Sequence, residues 1–126
     1  MYVEIKDVPV FVDFTYSSKE ESAKYFRGRR ATQCALRLDV KSFLESKGIS
    51  ENQIERVEDD DLISVGIAQC SAGDNFRKAV GRYMALRRAI PDMICFFKNN
   101  MKIDLNNQDI NKLIHDIGCD CYLKKE

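Results

Sequence analysis

The segment spanning residues 62–90 constrains the chain more than any other. Leu62, Ile63, Val65, Ile67 and Ala68 make residues 62–70 a strand, with β-branched Ile63, Val65 and Ile67 at alternate positions. Ser71-Ala72-Gly73-Asp74 reads as a tight turn with Asp74 as N-cap. Residues 75–90 then carry apolar side chains at the i, i+3, i+4, i+7 spacing of a helix. A strand followed so closely by an amphipathic helix requires that helix to fold back onto a sheet. Further β-rich segments at residues 2–6, 8–15 and 31–39 supply the rest of it. The predicted class is α+β: a small antiparallel sheet packed against several helices in a single domain of 126 residues. Residues 62–90 form its core unit and residues 91–117 a helical C-terminal part.

The remaining elements follow from their caps. Ser17 or Ser18 opens a short helix with Glu20 and Glu21 in its first turn, ending near Gly28. Asp39 caps a helix that Gly48 closes, Ser50 opens a further helical stretch, and Glu58-Asp59-Asp60-Asp61 reads as a solvated acidic turn. Pro91 is expected to stop the 75–90 helix. Residues 92–101 are apolar enough to be buried, and a last helix precedes Gly118.

The 75–90 helix has two unlike faces. Phe76, Ala79, Val80, Tyr83, Leu86 and Ile90 form the expected core stripe, with Arg87 snorkelling beside it. The opposite face centres on Gly81 and Ala85, surrounded by Arg77, Lys78, Arg82 and Arg88. Glycine inside a helix costs about 1 kcal/mol relative to alanine, and close approach of a ligand or a second backbone is the usual compensation. A small-residue floor between cationic walls suits a phosphate or carboxylate group, and two copies of the helix could equally cross there. The alternative is a solvated basic face.

Twenty basic and twenty acidic residues give a formal net charge of zero, which argues against a protein that coats nucleic acid through bulk charge. The charges are nonetheless segregated. Residues 24–30 hold four basic residues and residues 75–90 hold five, neither with an acid, while residues 51–61 hold six acids and one arginine. The second basic patch, Arg27-Gly28-Arg29-Arg30 behind Tyr25-Phe26, places arginines where they could fork onto phosphates beside an aromatic ring. An ordinary basic helix C-terminus is the alternative there.

Other chemistry is less well served. Five cysteines, an odd number, follow a start that lacks the apolar run of a secretory leader, so reduced thiols in a cytosolic compartment are expected. Cys70 and Cys95 read as core residues, while His115, Cys119 and Cys121 fall short of the paired spacing of a structural zinc site. No catalytic constellation, P-loop or dinucleotide fingerprint is present. The reading is therefore of a binding protein without a catalytic site, cofactor, metal or membrane segment.

The pattern Cys70-Ser-x-x-Asp74-Asn-Phe76-x-Lys78-x-x-Gly81-Arg82-x-x-Ala85-Leu86-x-Arg88-Ala89 resembles a strand–turn–helix signature of small phage and prophage proteins, some of which act against host defence. The resemblance implies one of two functions. One is a nucleotide sponge of the Thoeris anti-defence type, holding a phosphate-bearing ligand without hydrolysing it; the basic faces read above, Arg77, Lys78, Gly81, Arg82, Ala85 and Arg88 together with Arg27, Arg29 and Arg30, are the residues expected to serve it. The other is an anti-CRISPR-like inhibitor of a host defence complex, with the acidic run of residues 51–61 imitating a phosphate backbone. A small nucleic-acid-binding accessory protein is a third expectation.

Overall fold

The computed structural model describes residues 1–49, 60–70 and 77–118. Four antiparallel strands form one sheet whose spatial order follows the sequence. β1 (Tyr2–Ile5) and β2 (Val8–Tyr16) are joined by Lys6 and Asp7, both at positive φ (47° and 66°). That handedness lets a two-residue turn follow the twist of its strands. β3 (Ala31–Asp39) pairs with β2 from Val10↔Leu38 to Tyr16↔Thr32. β4 (Asp60–Gln69) pairs with β3, with one bulge that leaves Ile63 between the pairs Leu36↔Ser64 and Arg37↔Leu62. Asp60 and Asp61, expected in an acidic turn, open this strand instead; residues 58 and 59 lie outside the described ones.

Alternation divides the sheet into two faces. Val10, Val12, Cys34, Leu36 and Gly66 lie on the inner face, whose aliphatic side chains are buried under the helices. Phe11, Asp13, Thr15, Gln33, Arg37 and Ile67 lie on the outer face. Between β2 and β3 runs α1 (Lys19–Tyr25), opened by Ser18 in a capping box with Glu21. α2 (Val40–Ser46) follows β3 directly, capped by Asp39 through Ser42 N at 3.3 Å and Ser42 Oγ at 2.7 Å.

The long helix α3 (Lys78–Phe96) packs across β4 and β3. It does not stop at Pro91, which lies inside it, exposed. Proline removes one backbone hydrogen bond, to the carbonyl of residue 87. Ile90, Met93 and Phe97, buried on either side of it, hold the chain helical through the gap. One π-helical turn (Phe97–Met101) follows, ending on Lys102 at φ 58°. α4 (Asn107–Ile117) is capped by Asn106 and closed by Gly118 at φ 84°, and its Leu113, Ile114 and Ile117 complete the core. Lys6 Nζ lies 3.6 Å from Asp109 Oδ2, tying the β1–β2 turn to the first turn of α4.

Candidate anion-binding site

At one end of the sheet, β2 finishes, β3 begins and β4 finishes, so Tyr16, Thr32 and Ala68 stand in register. Ser17 is buried and knots the strands to α1 there. Its Oγ accepts from Ala31 N at 2.8 Å and lies 2.7 Å from Ser22 Oγ. The Cys70 N–H donates to Arg30 O at 2.8 Å, closing the same corner. The start of α3 comes to this end as well, because Gly81 rests on Thr32: a Cβ at residue 81 would run into Thr32 Oγ1.

Two basic segments far apart in sequence therefore share one end of the sheet. Lys78 Nζ sits 4.9 Å from the centre of the Tyr16 ring, a cation–π contact. Arg82 Nη1 donates to Tyr16 Oη at 3.0 Å. From the other segment, Arg30 Nε donates to Ser17 O at 3.0 Å. Arg27, at φ 54°, and Arg29 are exposed in the same turn, and Arg77 is exposed at the N-cap of α3. Arg88 Nη1 donates to Ile67 O at 2.7 Å, so its guanidinium lies along the margin of β4. Among the described residues, ion pairs join Lys6 to Asp109, Arg37 to Asp13 and Lys112 to Asp116, and no carboxylate meets Arg27, Arg29, Arg77, Lys78, Arg82 or Arg88.

The expected groove floor is not where the sequence placed it. Gly81 and Ala85 face the sheet: Ala85 is fully buried and Gly81 is covered by Thr32. The cause lies in β4, where Gly66 has no side chain and the α3 backbone settles onto it. A Cβ at residue 66 would enter the space of Ala85 O and Ala89 N. The core stripe is correspondingly rotated. Tyr83, Leu86 and Ile90 are buried as expected, joined by Ala85, Ala89 and Met93, whereas Ala79 is exposed and Val80 half-buried. Phe76 and the Ser71–Asp74 turn lie outside the described residues. The same contact takes up the Gly81–Ala85 surface that was the alternative place for two copies of the helix to cross. Arg87 does lie over Tyr83, with Cζ 5.8 Å from the ring centre.

On the outer face of the same end, α1 overhangs a hollow of about 190 Å³. Thr15, Gln33 and Ile67, neighbours in register on three strands, line it together with Tyr16, Ser17, Ala31 and Thr32 from the strands, Glu21 from α1 and Phe26 just beyond it. The Glu21 carboxyl is held below the usual glutamate range by backbone and side-chain hydrogen bonds from Ser18. The sequence reading singled out neither Thr15, Tyr16, Gln33 nor Ile67 for binding. Each sits in an unremarkable alternating strand, and only the cross-strand register brings them together.

Among the described residues no group of His, Cys, Asp and Glu could hold a metal ion, and no helix is long and apolar enough to cross a membrane. His115 is exposed on α4, and Cys119 and Cys121 lie outside the described residues. Cys95, expected in the core, is exposed, and Cys70 is partly so. Comparison with protein families, characterised proteins and solved structures found no match.

Proposed function

We propose that this protein binds and sequesters a phosphate-bearing, nucleotide-like ligand at the cationic end of its sheet, in the host-defence setting that its resemblance to phage proteins suggests. The observation that carries this reading is the convergence on Tyr16 and Ser17 of two basic segments, with Lys78 and Arg82 meeting no carboxylate among the described residues. Arg82 gives one of its five N–H donors to Tyr16, which leaves a fork suited to phosphate. Anchoring on Tyr16 fixes both cations before any ligand arrives, which lowers the ordering cost of binding. Calorimetric titration with ADP-ribose and cyclic nucleotides at low salt tests the reading. Binding is expected, and Lys78→Ala or Arg82→Ala should each weaken it about tenfold, the loss of one charge-assisted hydrogen bond. No binding at low salt, or variants that bind like the parent, would remove it.

A second reading, inhibition of a host defence protein by direct contact, is favoured by the outer face of the sheet. Tyr2, Leu62 and Ile67 are 49%, 52% and 43% exposed there. Apolar side chains this exposed on one face can anchor a protein interface. A stoichiometric partner that is lost with Leu62→Asp would support this reading, and a partner indifferent to that change would oppose it.

A further inference from the structure

The geometry points to a second half of the binding site: the hollow beneath α1 receives a planar, amine-bearing base, whose exocyclic amine is held by the Glu21 carboxylate. This deepens the phosphate reading and rests on it for the other half of the ligand.

The floor is a straight row, Thr15–Gln33–Ile67, crossing three strands in register. With strands spaced about 4.8 Å apart, such a row is about 10 Å long, the scale of a bicyclic heterocycle. Ile67 offers an apolar surface and Phe26 an aromatic wall, which together suit the face of a ring. The edge of a base needs hydrogen-bonding groups, and these are in place. Among the described residues neither the Gln33 amide nor the Thr15 hydroxyl has a hydrogen-bond partner. Glu21 uses Oε1 to accept from Ser18 N at 3.1 Å, leaving Oε2 to accept from an amine.

The same features exclude other occupants. A phosphate in the hollow would face the Glu21 carboxylate. A polyamine would meet a single carboxylate, that of Glu21, among the lining residues, while Arg88 and Arg30 are bonded to the carbonyls of two of those residues, Ile67 and Ser17. A purely apolar ligand would bury Gln33 and Thr15 without partners. Tyr16 joins the halves, since it lines the hollow while Lys78 and Arg82 hold its ring and hydroxyl. A nucleotide could thus place its base against Phe26 and its phosphate toward those cations.

The test uses two pairs of nucleotides that differ at one amine: AMP against IMP, and CMP against UMP. Pyrophosphate serves as a phosphate-only probe and adenosine and cytidine as base-only probes. At least one amine-bearing nucleotide is expected to bind about tenfold tighter than its keto partner, as one hydrogen bond to a charged group allows. Glu21→Gln should abolish that preference, and because glutamine retains the capping box it should leave α1 intact. Gln33→Ala should weaken nucleotide binding and leave pyrophosphate binding unchanged. If neither pair shows a preference while pyrophosphate binds and depends on Arg82, the base site is overturned and the phosphate reading stands. If the matching nucleoside at millimolar concentration shifts the Ile67 methyl and Gln33 amide resonances although pyrophosphate does not bind, the hollow is supported and the phosphate reading falls. Silence from every probe overturns both.

Discussion

A methyl group added at Gly81 would occupy the space of the Thr32 hydroxyl, which is itself fully buried and has no hydrogen-bond partner among the described residues. The helix-interior glycine is therefore accounted for by close packing against β3. Gly81→Ala should destabilise the protein by about 2 kcal/mol, in the range of overpacked cores. Thr32→Ala should recover part of that loss in the double variant, giving a coupling energy of about 1 kcal/mol in urea denaturation. Sequence alone pointed to a close approach at Gly81 but left it open between a ligand and a second backbone, because helical periodicity cannot tell which neighbour fills the space over a small residue. Glu21 makes a second prediction at this scale. Its carboxyl is held low by hydrogen bonds from Ser18, so the native state favours the charged form. Its contribution to stability is complete above the ordinary glutamate pKa and is lost as pH falls through the lower, native one. A melting-temperature difference between wild type and Glu21→Gln that changes only on the acid side of that range checks this.

Among the elements, α3 departs furthest from the reading of the sequence. Pro91 marked an end by the ordinary rule, yet the buried residues around it, Ile90, Met93 and Phe97, outweigh one missing hydrogen bond. Since Pro91 is exposed, Pro91→Ala restores that bond without removing packing. It should stabilise the fold by about 1–3 kcal/mol, read as a rise in the urea midpoint at constant slope. The strands and the caps at Ser18 and Asp39 were legible because each depends on local chemistry. The Lys6–Asp7 turn was not, since neither residue is the glycine or asparagine that signals such a turn. The rotation of α3 was equally hidden, because it depends on Gly66, a residue of another element.

Across the whole molecule, a net charge of zero coexists with one end where, among the described residues, Lys78, Arg82 and Arg88 meet no carboxylate. Ligand binding there should weaken as salt rises, because exposed charges are screened over about 8 Å at physiological ionic strength. Titrations at two salt concentrations check this, and a salt-independent affinity would contradict it. The two basic segments were legible as composition, but their meeting was not: it requires β2, β3 and β4 to align Tyr16, Thr32 and Ala68 at one end.

The sequential order of the sheet, β1-β2-β3-β4, also bears on how quickly the chain reaches its native state. Every strand pairs with its neighbour in sequence, so no pairing must wait for a distant segment, and loop-closure entropy favours the meander forming early. The seat for α3, built from Gly66 on β4 and Thr32 on β3, exists only once those two strands have joined. Docking of the long helix therefore follows that pairing. Gly66→Ala, costing about 3 kcal/mol by overpacking, should accelerate unfolding and leave the refolding limb of a chevron plot almost unmoved.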